Sequence, residues 1–200
     1  MNLSILGTPV LLDCGTYLYV GAGEWRRYFR GTAAHNTIQI DKLDQATQTG
    51  PFQWNRHVQG RLLAANRTPG GYQLAGEHNG YRRRGVKHHR QVEWNKTKST
   101  WLITDNVKGR GRHNIALFFH LGTCEVEKGN SVVCKYTDFS LHFRFEDNAG
   151  LELEIISATD ESQQNRHSPK FGKLETHSVL KLSGRVKCPV RIKTWIEIDA

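Results

Sequence analysis

The four cysteines, Cys14, Cys124, Cys134 and Cys188, include no CxxC pair and no finger-like spacing, which removes the zinc-ribbon class. They read as buried, reduced packing residues, with a Cys124–Cys134 disulfide left open if the two flank a hairpin. Long apolar runs are missing as well. The opening MNLSILGTPVLLDCG has neither a basic leader nor a span of membrane length, so no export signal and no membrane helix is expected there. No window of helical length keeps a 3.6-residue apolar period, so helix should be scarce. Internal repeats and low-complexity tracts are absent. So are a helix-turn-helix, an RNP-type segment and a zinc finger, which leaves a nucleic-acid partner resting on charge alone; no nucleic-acid and no membrane partner is expected.

What is present is positive charge and a period of two. The chain carries 28 Lys+Arg against 19 Asp+Glu, a formal net charge of +9, and that excess favours polyanionic partners. On charge alone, nucleic acid, an acidic membrane surface and an acidic polysaccharide fit equally. Ile115, Leu117, Phe119 and Leu121 fall on one strand face, as do Leu141, Phe143 and Phe145. Leu151, Leu153 and Ile155 form another set, and Val190, Ile192, Thr194, Ile196 and Ile198 a fourth. Turn signals such as PGG at 69–71, HNG at 78–80, KGRG at 108–111 and DNAG at 147–150 separate the runs. Many short strands at such spacing predict an all-β, antiparallel β-sandwich of the supersandwich kind with little helix, folding as one domain over residues 1–200. The long polar stretch at 158–173 is a loop candidate.

The stretch EWRRYFRGTAAHNTIQID at 24–41 holds the densest chemistry. Trp25, Tyr28 and Phe29 alternate with Arg26, Arg27 and Arg30 in what reads as a short loop. Aromatic faces stack on sugar rings and guanidinium forks take planar anions, so the mixture suits a sugar bearing carboxylate or sulfate. It equally reads as aromatics capping a core end with solvated arginines around them. If 36–41 is a strand, Ile38 and Ile40 turn inward and His35 is displayed. Trp54 reads either as a sugar-stacking platform or as a lid over the sandwich end.

The segment GTPVLLDCGTYLY at 7–19, the RGTAAHNT block at 30–37 and LDQ at 43–45 resemble the C-terminal domain of the heparinase II/III-like polysaccharide lyases. Weaker likenesses run on through HHRQVEW, WLITDNVKG, FFHLG and SPKFGK, so nearly the whole chain is covered. The resemblance implies a lyase, periplasmic or secreted, that cleaves uronic-acid-containing polysaccharides of the heparin, heparan-sulfate or alginate kind by β-elimination. In such a reaction the C5 proton is removed, the carboxylate is neutralised and the leaving oxygen is protonated. It also implies a partner, an N-terminal helical toroid that supplies further catalytic groups, so the present chain alone should show little turnover.

Carried onto this sequence, the likeness makes His35 a catalytic or metal-binding residue. Asp13 joins His35 as ligand to zinc or another divalent cation, although two donors fall short of a four-donor shell. Tyr28 is the proton-shuttle candidate, needing a cationic neighbour because a phenol titrates near ~10. Trp25, Arg26, Arg27, Arg30 and Trp54 are the substrate-binding candidates. The alternative is a carbohydrate-binding or structural β-module for acidic glycans with no chemistry of its own.

Outside this stretch, YRRRGVKHHR at 81–90 reads as a solvated turn around Gly85 or as a second polyanion contact. Glu93 and Asp105 are expected as charge partners on an outer face. His120 is expected as a satisfied, partly buried ring.

Overall fold

The computed structural model describes residues 1–55 and 58–199. Antiparallel strands dominate, as expected, and one α-helix occurs among the described residues. The chain weaves between two compact units, residues 1–57, 113–123 and 151–185 forming the first and 58–112, 124–150 and 186–200 the second.

Along the chain, β1 (Leu3–Ile5), β2 (Thr8–Leu11), α1 (Glu24–Arg30) and β3 (Ile38–Ile40) open the first unit. Strands β4 (Gly60–Thr68), β5 (Gly71–His78), β6 (Val86–Asn95) and β7 (Thr100–Gly109) then build the second. Strand β8 (Arg112–His120) returns to the first unit, and β9 (Glu125–Lys128), β10 (Val132–Lys135) and β11 (Ser140–Glu146) return to the second. The first unit closes with β12 (Glu152–Ile156), β13 (Arg166–His167), β14 (Glu175–Thr176) and β15 (Val179–Lys187), and β16 (Val190–Asp199) finishes the second. In the first unit the main sheet has the order β12-β15-β8-β3, and in the second β4-β5-β6-β7-β16-β11-β10-β9.

The period of two is real. Ile115, Leu117, Phe119 and Leu121 are buried, and so are Leu141, Phe143, Ile192 and Ile196. In the edge strand β12, Leu153 and Ile155 are half-buried, so that run is only partly covered.

The same alternation corrects one expectation. Asp105 does not lie on an outer face: it shares the buried side of β7 with Trp101, Ile103 and Val107 and is fully buried. It stays there because His88 Nε2–H, Arg90 Nε–H and Arg90 Nη2–H donate to it at 2.6, 2.7 and 3.0 Å. Glu93 instead accepts from Gln91. The 81–90 run also divides: Arg82, Arg83 and Arg84 are exposed around Gly85, at φ +71°, while Tyr81 and His88 are buried.

Residues 24–30 are not a loop but a helix of seven residues, α1. Its Phe29 is buried, packing with Cys14 and Ala34, while Tyr17, Trp25, Tyr28 and Leu174 lie against that cluster. Burial of one aromatic stripe is what fixes so short a helix, since a helix of this length is marginal alone.

Backbone contacts hold the chain after β2 against the end of β8. Leu12 N–H donates to His120 O at 2.8 Å, and Gly122 N–H to Val10 O at 3.1 Å. Gly122 sits so close that an added Cβ would lie 1.9 Å from the Pro9 carbonyl oxygen. Gly122→Ala should therefore force the two segments apart and cost about 1–3 kcal/mol in a chemical-denaturation measurement.

Candidate functional site

The AHNT block has divided labour. Asn36 is buried and ties three segments: its Nδ2 donates to Leu12 O at 2.6 Å and Met1 O at 2.8 Å, and its Oδ1 accepts from His120 N–H at 2.6 Å. The neighbouring Thr32–Ala34 turn is held by the LDQ segment, since Asp44 accepts from Thr32 N–H and Thr32 Oγ1 accepts from Gln45 N–H. With both neighbours anchored, His35 comes out at the surface on rigid backbone.

His35 is about one-third exposed, 36% of its side chain, and its Nδ1 lies 2.8 Å from Asp13 Oδ2. The other Asp13 oxygen accepts from Gly15 N–H at 3.0 Å. Asp13 is thus both the turn residue and the carboxylate partner, and the histidine is both displayed and paired. His35 holds the Asp13 carboxyl below its ordinary value by hydrogen bonding, with burial opposing and the Gly15 amide adding to the effect. Among the described residues none hydrogen-bonds His35 Nε2, so with Nδ1–H on Asp13 that nitrogen offers a lone pair outward.

Gly15, at φ +78°, has the Ser168 backbone against it; an added Cβ would meet Ser168 O at 2.4 Å. Ser168 N–H donates to Cys14 O at 2.7 Å, which brings the SPKFGK segment onto the same turn.

The expected substrate residues are placed differently from one another. Trp25 packs against Tyr17, Tyr28 and Phe29 and is half-buried. Arg26 lies over the rings of Tyr19 and Phe52 at 5.5 and 5.3 Å and donates to Pro51 O. Arg30 lies 4.2 Å over the Trp54 ring and donates to Gly50 O and Gln53 O. Two of the three guanidinium groups therefore staple the 50–54 segment to α1. Arg27 is the exposed one, 3.9 Å from Glu24. These arginines line an open hollow of about 380 Å³ with Tyr19, Gln48 and Pro51. Trp54, against the Arg30 guanidinium, is 44% exposed.

Tyr28 faces inward and donates its hydroxyl to Gln164 O at 3.0 Å. Burial, and then the neighbouring Cys14, pushes its phenol well above the ordinary value, so it stays protonated where it stands.

Behind the surface pair lies a group that no local sequence pattern assembles. Cys14 Sγ, His120 Nδ1 and His177 Nε2 come together within 4.8 Å of one another, all three buried, and could hold a metal ion. By sequence Cys14 reads as packing, His120 as a satisfied ring, and His177 as nothing; only the fold brings the three segments into contact. Asp13 and His35 converge with no third Cys, His, Asp or Glu among the described residues. Among the described residues, a closed cation shell of the kind the family resemblance implies is thus not built there.

The fold defines the class, an antiparallel β-sandwich that matches solved chains at TM-scores near 0.8. The chain belongs to the family described as "Heparinase II/III-like, C-terminal", which matches residues 1–194. Among similar solved structures, the heparan sulfate lyase HepC from Pedobacter heparinus aligns at TM-score 0.80 and 17% identity, covering 99% of this chain and 30% of that one. A heparinase III aligns at 0.79 and 18%, covering 98% and 29%, and another heparinase III structure at 0.75 and 22%, covering 96% and 28%. The chain spans under a third of the length of these proteins. No curated protein matches it.

Proposed function

We propose that this chain is the sandwich portion of a larger periplasmic or secreted lyase that cleaves uronic-acid-containing polysaccharide by β-elimination, with an upstream helical toroid completing the cleft. The observation that carries the reading is the surface dyad: His35, oriented through Nδ1 by Asp13, presents Nε2 outward on a chain of this family. A ring so held can take a proton at Nε2 or return one there, which both the C5 abstraction and the leaving-group protonation need. Arg27 and the hollow lined by Arg26 and Arg30 supply positive charge for the polymer, and Trp54 a face for a sugar ring.

Release of unsaturated uronate, followed by the ultraviolet absorbance of the new conjugated alkene, tests the reading. A protein carrying the upstream toroid should release product, and His35→Ala should abolish it, while the present chain alone should release none. Full activity of the isolated chain would overturn the proposal. The competing reading, a binding module without chemistry, is favoured if this chain binds acidic polysaccharide in a salt-sensitive way and the longer protein releases no product.

A further inference from the structure

We propose that Cys14 Sγ, His120 Nδ1 and His177 Nε2 form a buried binding site for one zinc-class divalent cation, separate from the Asp13–His35 pair. The sulfur lies 3.3 Å from His120 Nδ1 and 3.9 Å from His177 Nε2, and the two nitrogens are 2.8 Å apart. Bond lengths of ~2.3 Å to sulfur and ~2.0 Å to nitrogen in a tetrahedron put sulfur and nitrogen about 3.5 Å apart and two nitrogens about 3.3 Å apart. The sulfur distances straddle that value, and the imidazoles need to open by only about half an ångström. Three protein donors leave one position for water.

The surroundings point the lone pairs inward. His120 Nε2–H donates to Ala33 O at 2.9 Å, so its Nδ1 is unprotonated and faces the cluster. Its backbone is pinned by Asn36. With no cation, His177 Nε2–H must donate to that same Nδ1. His177 Nδ1 is then a bare lone pair, buried and without a partner. With a cation, both lone pairs bind it and the remaining His177 proton sits on Nδ1. A hydrogen-bonded trio of structural side chains leaves an orphaned nitrogen; a metal centre gives every lone pair a task.

Cation binding releases the thiol proton of Cys14, so one H⁺ leaves for each ion and sulfur becomes the thiolate ligand. The site then carries a single positive charge, and the Asp13 carboxylate, which acts electrostatically on both Cys14 and His120, offsets it. Because all three donors are enclosed, loading should be slow in the folded chain and efficient during refolding.

The test is to refold the 200-residue chain with Co²⁺ and record its absorption spectrum. The expected result is about one Co²⁺ per chain with a thiolate-to-cobalt charge-transfer band, displaced by Zn²⁺. Cys14→Ser and His177→Gln should each lose the band or weaken binding at least ~100-fold, whereas Asp13→Asn and Cys124→Ser should keep it. A band that survives Cys14→Ser, or that vanishes with Asp13→Asn alone, overturns the proposal, as does a chain that takes up no cobalt. Should Cys14→Ser fail to fold, alkylation of the unaltered chain decides between site and no site. Zn²⁺ must slow labelling of Cys14 and leave Cys124 unaffected, and equal labelling with and without metal counts against the site. The outcome is independent of polysaccharide cleavage, since neither spectrum nor labelling involves the lyase reading.

Discussion

Asp105→Ala should cost about 3–5 kcal/mol and lower the melting temperature by roughly 10 °C, measured by denaturant titration and thermal scanning. Asp105 is fully buried, and Arg90 and His88 lie on it at hydrogen-bond distance with side chains only 15% and 4% exposed. Removing the carboxylate takes away the acceptor of three donated bonds and leaves a cation in a poorly hydrated place. The chain of bonds continues outward in a consistent tautomer order. Gly80 N–H donates to His78 Nδ1, so His78 Nε2–H donates to His88 Nδ1 at 3.1 Å and His88 Nε2–H donates to Asp105. Arg90→Met in the Asp105→Ala background should restore part of the loss, because a buried ion pair replaced on both sides is often nearly neutral. A fall of under ~1 kcal/mol for Asp105→Ala would show that the network adds nothing.

The acid response follows from the same residues. Burial pushes the Asp105 carboxyl up, but Arg90 and His88 together outweigh it and bring it to about 2. A carboxyl whose folded value lies below its unfolded value contributes stability that is complete above the unfolded value and fades as pH falls. Here the window runs from about 3.8 down to about 2, with about 2 kcal/mol at stake. His78 adds an earlier loss. Burial, then His88 and Arg90, holds its value at about 4, so the unfolded chain takes up a proton as pH falls below about 6.5 while the folded chain does not. The chain should thus begin to lose stability below about 6.5 and lose more between about 3.8 and 2, and Asp105→Asn should lessen the loss in the lower window.

The strand pattern was legible because a period of two reports burial directly, as Leu117, Phe119, Phe143 and Ile192 show. Applied without exception, the same period would also have placed Asp105 inside, with Ile103 and Val107. The polar side chain argued for the surface, and only the partners His88 and Arg90, which face it from β6, reverse that argument. Helix α1 was illegible for the opposite reason, since seven residues are too few to show a period and its fixing partners, Cys14 and Ala34, lie outside it. The display of His35 could be read from the alternation in 35–40, whereas its pairing with Asp13 came only through family likeness. His177 lay beyond any local pattern: it joins His120 across 57 positions and Cys14 across 163.

On the reading proposed above, Asp13→Asn in the complete lyase should lower kcat by ~10²–10⁴ while leaving KM and the melting temperature nearly unchanged. The carboxylate accepts from His35 Nδ1–H at 2.8 Å, which leaves Nε2 as the nitrogen that takes up a proton. An amide at position 13 can turn its NH₂ toward the ring, and the proton then moves to Nε2, where abstraction of a C5 proton is blocked. Stability should barely respond, because the pair is 36% and 43% exposed and a solvated pair of this kind is worth about 0–1 kcal/mol. Steady-state kinetics beside a thermal scan separate the two contributions. Since the Asp13 carboxyl is held below its ordinary value, chiefly by its hydrogen bond to His35, the wild-type dyad keeps its carboxylate at a pH where an unpaired Asp would begin to lose it. A kcat unchanged by Asp13→Asn would mean that His35 is aligned by something other than this carboxylate. A melting temperature that falls in step with kcat would mean that the pair acts as a brace for the turn at Gly15, and the proton-transfer role would then have to be sought on another residue.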